Sequence, residues 1–293
     1  MTVRKTGKNR VGQGTGLLDL QPFGQTRPRA ANSSGLQDAG RRIMTEEEKI
    51  EKLTDLVRGS DNIVFFGGAG VSTESGIPDF RSEDGLYHQK YKYPPEEMLS
   101  HTFYEQRPEE FFKFYRDKLL LKGQPKPEPN MAHKILAKWE KEGKLKAVIT
   151  QNIDGLHQKA GSKKVLELHG STLRNYCENC HAFYDADFIA NSEGIPTCTK
   201  CGGRVKPDVV LYEESLDMDT LEEAVRCIRD ADMLIIGGTS LVVYPAAGLI
   251  DYYSGHKLIL INKSSTSRDA DADLVIEDSI GKVLGEVDRR LDA

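Results

Sequence analysis

The chain has 293 residues, 38% of them hydrophobic and 29% charged, enough for one large domain or two modest ones with a sizeable core. No apolar run approaches a membrane span and no secretory apolar segment opens the chain, so no membrane association is expected and the expected location is cytoplasmic. Net charge is −5 overall but +6 within residues 1–43, so the remainder carries −11; that acidic body speaks against nucleic-acid binding by the core and weakly for a basic peptide partner.

Residues 1–43 are rich in Gly, Gln, Ser, Arg and Pro without a periodic apolar pattern, and read as a disordered tail. A helix starts at Thr45, which makes a capping box with Glu48; Ile50, Leu53, Leu56 and Val57 form its core face, and Gly59 stops it. Ile63-Val64-Phe65-Phe66 is a short buried strand. Tyr87, Tyr91 and Tyr93 follow in a mixed loop and read as cover for a neighbouring core. Helices are expected over 108–121 and 132–142, and strands over 146–150 and 165–170. Residues 206–214 read as a return to the sheet. Further strands over 232–238, 257–261 and 273–276 alternate with helices over 221–230 and 281–291. Such alternation predicts an α/β fold with a doubly wound, mostly parallel, Rossmann-like sheet.

Five cysteines are present, four of them in two CxxC pairs separated by seventeen residues: Cys177, Cys180, Cys198 and Cys201. This spacing sets four thiolates around one zinc ion, and with no position left open the zinc is structural. Cys227 falls in the apolar pattern of a helix and reads as core.

After the first strand come Gly67, Gly68 and Gly70, a turn that lets backbone N–H groups approach a phosphate. The dinucleotide fingerprint asks for a third glycine where Thr73 stands, so nucleotide binding and an ordinary strand-turn-helix corner both remain open on the turn alone. The wider stretch GAGVSTESGIPDFRS, however, resembles the signature of the sirtuin family, the NAD-dependent protein-lysine deacylases. TQNIDGLH (150–157), the His-Gly at 169–170 and the segment after Gly238 match further family motifs in the family's order. The resemblance runs from about Met44 to the C-terminus.

The resemblance implies an NAD-binding Rossmann-like domain from 44–84, 131–170 and 205–293. A helical insertion (85–130) and a zinc-ribbon insertion (171–204) would pack together as a smaller domain. It implies that Gly68, Ala69, Gly70, Thr73, Phe80 and Arg81 hold the pyrophosphate and ribose side of NAD. Gln151, Gly238, Thr239, Ser240 and Asn262 would hold the riboses and adenosine, with Ile280 and Gly281 near adenine. Ile153 and Asp154 would line the nicotinamide pocket, and Ser72 and Asn152 would order ribose or water at the reaction centre. His169 would be the general base acting on a ribose hydroxyl after the acyl oxygen of a modified lysine has captured the ribose carbon that nicotinamide leaves. Acetylated proteins would be the substrates, NAD and one structural zinc the cofactors, and the chain a monomer.

Val209, Val210 and Tyr212 would flank the substrate peptide as an added strand. Here the chain departs from the family, which usually carries Arg and Phe-Gly-Glu; Lys206, Tyr212 and Glu213 stand in those places. Members that prefer acidic acyl groups carry Tyr-x-x-Arg, and this chain aligns Tyr115 with Lys118. Lysine lacks the planar bidentate fork for a carboxylate, which favours acetyl- over succinyl-lysine. The alternatives are an ADP-ribosyltransferase or desuccinylase on the same fold, a catalytically idle NAD sensor, and a hydride-transferring dehydrogenase. The intact His169 and Asn152 count against the sensor, and the broken glycine fingerprint counts against the dehydrogenase.

Overall fold

A computed structural model of the chain describes residues 44–79, 85 and 92–293. Phe80, Arg81, Tyr87 and Tyr91, and the tail reading of 1–43, lie outside the described residues. In chain order the elements begin with α1 (Glu46–Arg58) and β1 (Ile63–Gly67), then α2 (Pro95–Met98), α3 (His101–Gln106) and α4 (Pro108–Phe114). They continue with α5 (Met131–Lys141), β2 (Leu145–Thr150), α6 (Leu156–Ala160), β3 (Val165–Glu167), β4 (Gly170–Cys177), β5 (Phe183–Tyr184) and α7 (Ala186–Asn191). The chain closes with β6 (Val205–Val209), α8 (Met218–Asp230), β7 (Met233–Gly237), β8 (Leu258–Asn262), β9 (Leu274–Glu277) and α9 (Ile280–Leu291).

Six strands form one parallel sheet in the order β3-β2-β1-β7-β8-β9. The chain winds outward from β1 in one direction and from β7 in the other, so the topological switch lies between those two strands. Ligands of open α/β sheets bind at the carboxyl ends flanking such a switch. All five residues of β1 and of β7 are buried, as the unbroken apolar runs predict for strands covered on both faces. One face is covered by α1, α5 and α9 through Leu53, Val57, Leu136, Trp139, Leu284 and Val287. The other is covered by α8 and a 3₁₀ segment (Ala246–Tyr252) through Ala224, Ile228, Leu249 and Ile250. Each of the Val, Leu and Ile side chains among them contributes about 1.5–3 kcal/mol by leaving water. The predicted capping box of α1 is present, with the Glu48 N–H donating to Thr45 Oγ1 and the Thr45 N–H to Glu48 Oε2. Cys227 is buried in the α8 face, as its helical spacing suggests.

Three expectations are corrected. Residues 206–214 do not rejoin the large sheet: β6 pairs antiparallel with β4 in a separate three-stranded sheet of order β5-β4-β6. The helix expected over 108–121 is α-helical only to Phe114 and continues as one π-helical turn (Tyr115–Leu119). That turn places Arg116 in the interior, where its guanidinium donates to the carbonyls of Ile189 and Gly194 and to Ser192 Oγ. The strand expected to end in His-Gly stops at Glu167, and β4 starts at Gly170 with φ +73°. A third core joins α2–α4 to the cysteine-bearing sheet through Phe103, Tyr104, Phe111, Phe112, Cys177 and Val205.

Candidate functional site

The carboxyl ends of β1 and β7 meet backbone to backbone. The Gly70 N–H donates to the Gly238 carbonyl at 2.8 Å, and a Cβ on Gly70 would lie 2.7 Å from the Gly238 Cα. A Cβ on Gly68 would lie 2.8 Å from Thr239 Cβ, so both glycines are required by close approach. β1 leads into two 3₁₀ turns, Ala69–Val71 and Thr73–Ser75, rather than the α-helix that a dinucleotide fingerprint would start. Beyond these ends opens a cleft of about 1520 Å³, large enough for a dinucleotide together with an extended side chain.

The polar groups of the cleft converge in one network. Asn152 Nδ2 donates to Ser72 Oγ at 3.0 Å, and Ser72 Oγ donates to Asp154 Oδ2 at 2.7 Å. The second Asp154 oxygen accepts the Leu156 N–H at 2.9 Å, which fixes the carboxylate at the start of α6. Gln151 Nε2 donates to Thr239 Oγ1, and the Thr239 N–H donates to Asn262 Oδ1 at 2.9 Å. Asn262 Nδ2 is buried and has no hydrogen-bond partner among the described residues. A buried amide donor left over at a strand end is suited to a ribose oxygen. Ser240 and Ile280 also line the cleft, while the Gly281 N–H is taken by Glu74 Oε2 at 2.8 Å.

His169 lines the same cleft between β3 and β4. Its Nδ1 lies 3.0 Å from the Gln151 carbonyl, which can only accept, so the proton sits on Nδ1 and the Nε2 lone pair is left for substrate. Burial holds this imidazole below its ordinary pKa, against the opposing hydrogen bond to Gln151, so the base form prevails at neutral pH. The Val210 N–H donates to the His169 carbonyl at 3.0 Å, joining the histidine to the end of β6.

Val209, Val210 and Tyr212 line the cleft, and so does Lys118. Tyr115 does not: it is fully buried, packed flat on Phe111 with ring centroids 5.8 Å apart. Its hydroxyl is buried and has no hydrogen-bond partner among the described residues. Glu213, where the family usually has glycine, keeps a glycine-like φ of +77°. Its carboxylate accepts from the Thr102 N–H at 2.9 Å and Oγ1 at 2.7 Å, tying the strained residue to the first turn of α3. Sequence reasoning missed two supports of the glycine turn, Glu74 and Asn130. Asn130 Nδ2 donates to the Val71 carbonyl and to Ser75 Oγ. An asparagine directly before a helical pattern is an N-cap signal, and Asn130 does cap α5.

The four sulfurs of Cys177, Cys180, Cys198 and Cys201 lie within 4.8 Å of one another. Zn–S bonds of about 2.3 Å place tetrahedral sulfurs about 3.8 Å apart, and the Cys177–Cys201 and Cys180–Cys198 pairs stand at 3.4 and 3.5 Å. The Tyr184 hydroxyl holds the Cys198 thiol down to about 6. The Cys201 thiol, although the Gly203 N–H favours its anion, is pushed up to about 12 by Cys180 and Cys177. Four sulfurs so close can all ionise only with a cation between them, and the donor set fits zinc.

The Sir2 family pattern matches residues 68–245. An NAD-dependent protein deacetylase of Clostridium perfringens is 64% identical over 244 residues, spanning 82% of this chain and 99% of the relative. That of Clostridium acetobutylicum is 62% identical over 243 residues, spanning 82% and 98%. Among solved structures, one described as "Sir2-p53 peptide-NAD+" superposes with a TM-score of 0.73 at 40% identity, over 83% of this chain and 98% of its own. With the glycine turns, the cleft and the cysteine cluster in the arrangement its motifs implied, the chain belongs to the Sir2 family, the sirtuins.

Proposed function

We propose that the chain is an NAD-dependent protein-lysine deacetylase, which removes acetyl groups from lysine side chains and releases nicotinamide and O-acetyl-ADP-ribose. The carrying observation is that one cleft holds both the backbone-to-backbone glycine turns of β1 and β7 and a histidine in its base form. Relatives 60–64% identical bear the name of this activity.

Bound NAD supplies the electrophilic ribose carbon that accepts the acetyl oxygen. Gly68, Ala69, Gly70 and Thr73 cradle its phosphates, and Gln151, Thr239, Ser240 and Asn262 hold the riboses. Asp154, oriented by Ser72 and the Leu156 N–H, accepts from the carboxamide of nicotinamide, beside Ile153. Asn152 and Ser72 order the reacting ribose. His169, oriented through Nδ1, takes a hydroxyl proton on Nε2. Val209, Val210 and Tyr212 flank the acetylated peptide. Lys118 at the cleft, in place of arginine, supports acetyl as the acyl group. Residues 92–130 and 170–211, joined through the third core, act as one small domain beside the NAD-binding domain, and the paired cysteines, read as metal ligands rather than disulfides, support a cytoplasmic setting.

The test incubates the purified zinc-loaded chain with NAD and an acetyl-lysine peptide and weighs the products. Loss of the acetyl mass only with NAD, together with acetyl-ADP-ribose, is expected. Gain of an ADP-ribose mass on protein or peptide would replace this reading with the transferase one.

A further inference from the structure

Outside the cleft, the cysteine cluster carries a polar side chain that the four-ligand description leaves out. Tyr184, on β5, packs its ring against Phe188 of α7 with centroids 4.2 Å apart. Its hydroxyl oxygen accepts the Thr199 N–H at 2.9 Å. The single phenolic proton then has two acceptors within reach, Cys198 Sγ at 3.1 Å and Thr199 Oγ1 at 3.0 Å. An ionised sulfur is the stronger acceptor, and the Thr199 hydroxyl can donate to the phenol in turn. The Lys200 N–H adds a longer contact to the same sulfur at 3.4 Å. Cys198 is buried, whereas Cys180 and Cys201 are exposed.

We infer that Tyr184 is a positioning residue of the zinc centre: its hydroxyl donates to the Cys198 thiolate, fixes that ligand's orientation and slows loss of the metal. The inference rests on the zinc reading of the cluster. Outer-shell partners of this kind change metal affinity by about 10–100-fold when removed. A hydrogen bond to a thiolate also lowers the energy of its lone pairs, so it leaves a spectroscopic trace when a coloured metal is bound.

The experiment uses the full chain loaded with zinc. Zinc transfer to excess 4-(2-pyridylazo)resorcinol is followed for the wild type, Tyr184→Phe and Thr199→Val. Phenylalanine keeps the ring against Phe188 and removes only the hydroxyl. Faster transfer by roughly 10–100-fold in Tyr184→Phe is expected, with Thr199→Val close to the wild type. In the cobalt(II)-substituted proteins, the thiolate-to-metal charge-transfer band of Tyr184→Phe should move to longer wavelength. Metal analysis of the wild type comes first: absence of about one zinc per chain would overturn the zinc reading and the inference with it. Bound zinc with transfer unchanged within about twofold, an unmoved cobalt band, or equal acceleration by Thr199→Val would overturn the inference alone.

Discussion

Replacing His157 with leucine should flatten the acid side of the stability profile. His157 and His133 are both buried behind the cleft, with ring centroids 4.7 Å apart. Neither ring nitrogen of His157, nor Nε2 of His133, has a hydrogen-bond partner among the described residues. Burial, reinforced by the neighbouring His133, holds His157 down to about 3. Burial also holds His133 down to about 4, against the opposing pull of Asp154. In the unfolded chain both titrate near about 6.5. A histidine with a depressed folded pKa takes up its proton only on unfolding. Its stabilising contribution is therefore present above pH 6.5 and is lost as pH falls toward the folded value. One pKa unit corresponds to about 1.36 kcal/mol, so at pH 5 each histidine removes about 2 kcal/mol and the pair about 4 kcal/mol. Surface carboxylates and the thiolate cluster also respond to acid, but they are shared by wild type and variant and cancel in the comparison. His157→Leu removes one of the two titrations and no hydrogen bond, so at pH 7 it should lie within about 1 kcal/mol of the wild type. At pH 5 it should be the more stable protein by about 2 kcal/mol. Urea unfolding at pH 7, 6 and 5 reads this directly. Parallel pH profiles for the two proteins would refute the argument, because they would mean that His157 is already charged or solvated in the folded state.

Two further substitutions test the cleft. His169→Ala should lower turnover by roughly 10²–10⁴ while leaving NAD affinity and zinc content intact; a variant with nearly full activity would remove His169 from its assigned role. Gly170→Ala should be far more damaging to the fold than a surface change. A Cβ there would stand 2.0 Å from the Asp208 carbonyl oxygen, at a φ of +73°. The left-handed conformation alone costs about 1–2 kcal/mol, and relieving the overlap must part β4 from β6, for a total of about 3 kcal/mol or more. Thermal unfolding within a few degrees of the wild type would contradict that reasoning.

The sequence by itself determined those features whose cause is local. Four cysteines in two CxxC pairs carry their metal preference in their spacing, and they meet in space as that spacing requires. Short apolar runs such as 63–67 and 233–237, bounded by glycine, read as interior strands, and glycine turns after such strands lay where a parallel sheet gathers its ligands. The capping box at Thr45 was legible because both partners lie within one helical turn. The tertiary structure alone decided what depends on partners distant in the chain. Residues 205–209 alternate between buried and half-buried positions, a pattern that suits either sheet. Only the pairing with β4 assigned them to the smaller one, because strand pairing is set between segments and not within them. Tyr115 was expected near the acyl group, and only the structure shows it packed on Phe111, one helical turn earlier, within the small core. Glu213 keeps a glycine's backbone because Thr102, 111 residues earlier, receives its carboxylate. Asn262 was visible as an amide after a strand. That its buried Nδ2 has no partner among the described residues emerges only when Thr239 has claimed the other end of that amide.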